Sequence, residues 1–99
     1  MIKVIIKEEK KRIVEVQILG HALYNDFGKD IVCSAVSSII TTTVNGIMMI
    51  DNDALKYEEK PSFKIDILKD DEITDKLILN MINLLKELEK DYPKNIKFL

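Results

Sequence analysis

The chain has a single cysteine, Cys33, so no intramolecular disulfide can form and a disulfide-stapled scaffold is excluded. A lone thiol suits a reducing compartment, which sets the expectation of a cytoplasmic protein. A basic excess is also missing. Fifteen Lys and Arg stand against seventeen Asp and Glu, giving a net charge of -2. A chain held mainly by phosphates would need the opposite balance, so no direct nucleic-acid partner is expected. The N-terminal run Met1–Lys7 has lysines inside its apolar residues, so it lacks a signal-peptide core. No repeat, low-complexity tract, phosphate-binding glycine loop or paired-carboxylate motif is visible, and no cofactor is expected. A zinc site could draw on His21, Cys33, Asp26 and Asp30 by residue type. Those positions lack the paired-ligand spacing of zinc motifs, so no metal is expected either.

What is present is enough for one domain spanning residues 1–99. Of these, 46% are hydrophobic and 32% charged. A chain of this length buries roughly 65% of its unfolded surface on folding, which supports one modest core. Ile2, Val4 and Ile6 alternate with Lys3 and Lys7, and Val14, Val16 and Ile18 alternate with Glu15 and Gln17. That is the period of half-buried strands. The charged Glu8–Lys11 stretch between them predicts a hairpin, with no turn type assigned because Asn-Gly is absent. Leu55–Glu58 and Ser62–Leu68 read as two further strands turning at Lys60-Pro61. A helix is predicted from Glu72 to Asp91, capped by Asp70 or Asp71, with an apolar stripe from Ile73 to Leu88. Asn95–Leu99 reads as a last short strand. The order ββαββα(β), with polar faces on several strands, predicts an α+β fold. Its architecture is a two-layer sandwich of two helices on a mixed, mostly antiparallel sheet.

Ile31 to Ile50 carries no charge. Its β-branched content favours a strand on propensity, but the 3.6-residue period and the length predict a helix, with Asp30 as N-cap. Eight of the twenty residues are Ser, Thr, Asn or Gly, which argues against a membrane span. The face carrying Ser34, Ser37, Ser38, Thr41, Thr42 and Asn45 is neutral where a water-facing surface would carry charges. It is expected to be covered by another element or by a second subunit.

Between the second strand and this helix lies a loop of about ten residues, Gly20 to Lys29, longer than the usual ~4–6. His21, the one histidine, opens it, and Cys33 sits three residues after the cap. A thiolate at a helix start is favoured by free N–H groups and the helix dipole, and a nearby imidazole can take its proton. The same N–H groups are placed to stabilise an oxyanion. The competing reading is a cysteine that fills the core of a non-catalytic module. Asp30 could orient His21 in addition to capping the helix. Ser37 lies one turn beyond Cys33 and could line the same pocket. Gly20 and Gly28 are expected to adopt backbone angles that other residues resist, or to act as hinges of a mobile loop.

The block Gly20-His21-Ala22, followed by Gly28-Lys29-Asp30-Ile31-Val32-Cys33-Ser34-Ala35-Val36-Ser37, resembles the ribosomal-processing cysteine protease family of Prp type. The family pattern is a Gly-His-Ala, a glycine-containing loop, Asp-Ile-Val-Cys, small residues, and a serine one turn on. Ser34 stands where the family usually has alanine, and Leu23–Phe27 is bulkier than that loop often is. The resemblance implies a cytosolic cysteine endopeptidase acting in ribosome assembly, with His21 and Cys33 as catalytic dyad and Asp30 and Ser37 near the site. Its substrate would be the precursor of a large-subunit ribosomal protein, from which a short N-terminal extension ending in an aromatic pair is removed. It also implies a homodimer, which would account for the uncharged helix face. The alternative is a non-catalytic dimeric module that binds a ribosomal protein or RNA.

Overall fold

The computed structural model describes residues 1–26 and 29–99. Seven elements follow in the order β1 (Ile2–Glu9), β2 (Arg12–Leu19), α1 (Ile31–Ile50), β3 (Leu55–Glu58), β4 (Phe63–Ile67), α2 (Glu72–Asp91) and β5 (Ile96–Phe98). The strands form one sheet in the order β3-β4-β2-β1-β5, in which only β1 and β5 run parallel. This is the two-layer α+β arrangement expected from the alternation of apolar and polar residues.

The register explains how the layers form. Val4 faces Ile18, Val16 faces Ile65, Leu55 faces Ile67 and Ile2 faces Ile96. All eight are buried, so these cross-strand neighbours make one continuous apolar face. The intervening residues form the opposite, polar face, where Lys64 Nζ lies 3.3 Å from the Glu15 carboxylate. Both helices pack on the apolar side. α1 contributes Val32, Val36, Ile40, Val44 and Ile47, and α2 contributes Ile78, Met81, Ile82 and Leu85. α1 has the length and composition of a membrane span, but these five residues are the centre of a globular core.

Three sequence expectations are refined. The hairpin between β1 and β2 turns on Lys10 and Lys11, both at positive φ (52° and 66°). That is the backbone pattern of a tight primed turn, adopted without Asn-Gly. Asp71, not Asp70, caps α2, accepting from Ile73 N at 3.2 Å and from Thr74 Oγ1 at 2.9 Å. Asp70 instead pairs with Arg12, whose guanidinium also meets Asp75 and so ties the hairpin to the start of α2. Third, the outer face of α1 is not covered by its own chain. Ser34, Ser38, Thr42, Asn45 and Met49 are exposed along it.

Candidate active site

Cys33 owes its position to Asp30. The Asp30 backbone is extended, and its Oδ1 accepts from Val32 N and Cys33 N, both at 3.0 Å, which starts α1 there. Its Oδ2 accepts from Tyr24 N at 2.9 Å and from Asn25 N at 3.4 Å. One carboxylate therefore joins the helix start to the loop that leaves β2. Burial on its own would push this carboxyl up. The N–H donors of Cys33, Tyr24, Asn25 and Val32 outweigh it and hold the group below the ordinary carboxylate value.

The loop opens at Gly20, whose φ is +84°. A Cβ there would stand 2.5 Å from the Met1 carbonyl oxygen, so both the angle and the close approach require glycine. His21 follows and is exposed. Ala22 is buried, and its N–H donates to Cys33 Sγ at 3.4 Å. Leu23 then takes a left-handed conformation, φ 56°, uncommon for a bulky side chain.

Between the loop, α1 and the sheet lies a cleft of about 700 Å³. His21, Leu23, Asn25 and Asp30 line it from the loop side. Cys33, Ser34, Val36, Ser37 and Ser38 line it from α1, and Ile2, Ile18 and Phe63 from the sheet. Phe63 stacks on Tyr57, with ring centroids 6.2 Å apart and planes at 7°. The wall is thus apolar and aromatic opposite a row of thiol and hydroxyl groups. An extended peptide can lie in such a cleft with its carbonyls near the sulfur.

The structure brings His21, Asp30, Cys33 and Ser37 to one cleft, as the sequence led one to expect. Cys33 is half-buried at the cleft wall and is not sealed in the core. Gly20 has the unusual backbone angle expected of it. The hinge reading of Gly28 falls outside the described residues. The N–H groups of Val32 and Cys33 donate to Asp30 Oδ1, and Ser34 N donates to the Asp30 carbonyl at 3.1 Å. The Ala22 N–H lies beside the sulfur as well. Within the loop, the backbone N–H groups of Ala22, Tyr24 and Asn25 all hold hydrogen bonds. Among the described residues no group of three His, Cys, Asp or Glu side chains gathers to hold a metal.

Sequence reasoning missed Ile2, Ile18 and Phe63 as cleft residues. Their alternation marked them as core-facing. Only the sheet order, with β1, β2 and β4 adjacent, puts them beside the start of α1.

The carboxylate of Asp30 supports a pH prediction. A carboxyl held low in the folded state stabilises above its unfolded value, 3.8, and loses that contribution as pH falls through the folded value. Asp30→Asn should therefore lower the urea midpoint at pH 7, and the gap to the parent should close in the acid range below about pH 4. Curves for the two proteins that stay parallel from pH 7 to pH 3 would show that the charge does not matter.

Similarity to known proteins adds to this geometry. A curated relative from Staphylococcus aureus, the ribosomal processing cysteine protease Prp, is 27% identical over 93 residues, covering 90% of this chain and 88% of its own. The crystal structure of S. aureus Prp with a covalently linked product peptide superposes with a TM-score of 0.87 at 25% identity, covering 99% of this chain and 97% of that one. A protein from Streptococcus mutans superposes with a TM-score of 0.81 at 25% identity, covering 99% and 91%. The family model described as cysteine protease Prp matches residues 1–97, and with them the cleft and both layers that build it, so this chain belongs to the cysteine protease Prp family.

Proposed function

We infer that this chain is an endopeptidase that removes the N-terminal extension of a large-subunit ribosomal protein during ribosome assembly in the cytoplasm, with His21 and Cys33 as its dyad. The observation that carries the reading is the placement of the single thiol at the wall of an open cleft, with His21 on the facing loop and an N–H already on the sulfur. The related S. aureus structure, with its covalently linked product peptide, supports a peptide substrate here.

The steps are these. His21 accepts the Cys33 proton and the thiolate attacks the scissile carbonyl. The tetrahedral oxyanion forms beside the sulfur, within reach of the Ala22 N–H. His21 then protonates the departing amine, and water hydrolyses the thioester. Asp30 acts by holding both ends of the site together, and Ser37 contributes a hydroxyl to the cleft floor. The aromatic and apolar wall formed by Ile2, Ile18 and Phe63 suits the aromatic pair at the end of the extension. A synthetic peptide spanning that extension and the following residues tests the reading. Cleavage at a single bond after the extension is the expected result. An intact peptide at high enzyme concentration would sink it.

The exposed face of α1 completes the proposal as a homodimer contact. Ser37, Ser38, Thr41 and Thr42 form a shallow depression there, and the face has no charge to keep it in water. Light scattering at micromolar concentration should give twice the 11.4 kDa chain mass. A monomer mass, or a Thr42→Lys variant with an unchanged dimer, would refute contact through this face.

A further inference from the structure

The segment joining α2 to β5 is far from the site in sequence and touches it in space. Asn95 Nδ2 donates to the carbonyl of Ala22 at 2.9 Å. Tyr92, the C-cap of α2, meets Tyr24 edge to face, with centroids 5.4 Å apart and planes at 86°. We propose that Asn95, backed by Tyr92, is a positioning residue that holds the His21–Tyr24 segment against Cys33. The inference rests on the cleft being the proteolytic site.

Ala22 is held from both sides. Its N–H faces the Cys33 sulfur and its carbonyl receives the Asn95 amide. The residue before it is His21, and the residue after it, Leu23, is left-handed. A bulky residue stays in that conformation only where its surroundings over-determine it. The Asn95 bond on one side of Leu23 and the Asp30 bond to Tyr24 N on the other do so. Asn95 is itself fixed, because its N–H donates to Tyr92 O at 2.9 Å and its carbonyl accepts from Ile2 N at 2.8 Å. Both are backbone bonds, so a changed side chain at position 95 leaves the anchor in place and removes only the brace. Without it, the Ala22 N–H loses its aim at the sulfur, and His21 loses its fixed relation to the thiol. Small displacements of this kind lower turnover strongly.

The test compares Asn95→Ala with Asn95→Asp. The aspartate keeps the shape but turns a donor toward Ala22 O into an acceptor. If Asn95 only filled space, Asn95→Asp would behave as the parent and Asn95→Ala would be the weaker enzyme. If it positions Ala22, both lose about tenfold or more in kcat with little change in KM. Amide hydrogen exchange at Ala22 and Leu23 is followed without substrate. Exchange should be about tenfold or more faster in both variants, because the Ala22 N–H loses its place on the sulfur and the segment opens more readily. That readout separates the two ideas: faster exchange in a protein that cleaves nothing would fail the protease reading and keep the brace. Unchanged exchange in a folded Asn95→Asp protein overturns the proposal. Should either variant not fold, nuclear Overhauser contacts in the unaltered protein decide. Contacts from the Asn95 side-chain amide to Ala22 and Leu23 are expected, and their absence overturns it.

Discussion

Replacing Cys33 by alanine or serine is expected to abolish peptide cleavage while the protein stays folded. The loss should be at least about 10³-fold, since a hydroxyl or methyl in place of the thiol ends covalent catalysis and leaves only binding and oxyanion contacts. The fold should persist because Cys33 is half-buried at a cleft wall and is not among the buried core residues. Its sulfur accepts one long hydrogen bond, 3.4 Å from Ala22 N. Its helix start is set by the Asp30 carboxylate, which bonds the backbone of residue 33 whatever its side chain. His21→Ala should lose about 10²–10⁴-fold, the usual size of a general-base contribution. Steady-state cleavage beside thermal melting checks both. Turnover at the parental rate in either Cys33 variant would eliminate the thiol as nucleophile.

Gly20→Val should be the most damaging single change outside the core. Two effects add. A β-branched side chain resists the φ of +84°, a conformation that costs an L-residue about 1–2 kcal/mol even when unbranched. Its Cβ would also lie 2.5 Å from the Met1 carbonyl oxygen. That oxygen cannot move away freely, because its peptide plane includes Ile2 N, which donates to Asn95 O at 2.8 Å. A loss of about 2 kcal/mol or more would lower Tm by roughly 8–16 °C in a domain of this size. Cleavage at a temperature where the variant is folded should fall as well, since His21 is the next residue. Gly20→Asn separates the causes. Asparagine tolerates the left-handed angle but keeps the Cβ, so melting as low as for Gly20→Val assigns the effect to the Met1 contact. A Tm within about 2 °C of the parent for Gly20→Val would show that the β1 start yields easily.

The sequence by itself determined the elements and singled out the candidate site residues. Alternation of apolar and polar residues, broken at single positions in β1 and β2 and strict in β4, has one physical meaning, a half-buried strand. A 3.6-residue period sustained over twenty uncharged residues outweighed the β-branched propensity of α1. The unique histidine and cysteine, with an aspartate three residues before the cysteine, needed no coordinates to be singled out, because a cap and a helix start are local features. The stripe of α2 was legible only in part. Ile73 and Leu84 lie in the apolar series yet are exposed, so the arc that α2 buries is narrower than the pattern suggests.

What only the tertiary structure decided is everything that depends on neighbours distant in the chain. The Asp30 carboxylate was readable as a cap, but its second oxygen turns to Tyr24 and Asn25 and so ties the helix start to the loop. Gly20 was suspected from the loop's outline. The reason it must be glycine is the Met1 carbonyl, nineteen residues away, brought there by the pairing of β1 with β2. Asn95 gave no signal at all, because a single amide in a polar connection looks like any surface residue. It reaches Ala22 because β5 pairs in parallel with β1 and so brings the end of the chain to the loop that carries His21. Local periodicity encodes which face of an element is buried. Which residues meet across 73 positions of sequence is set by strand order, and strand order is a property of the packed sheet.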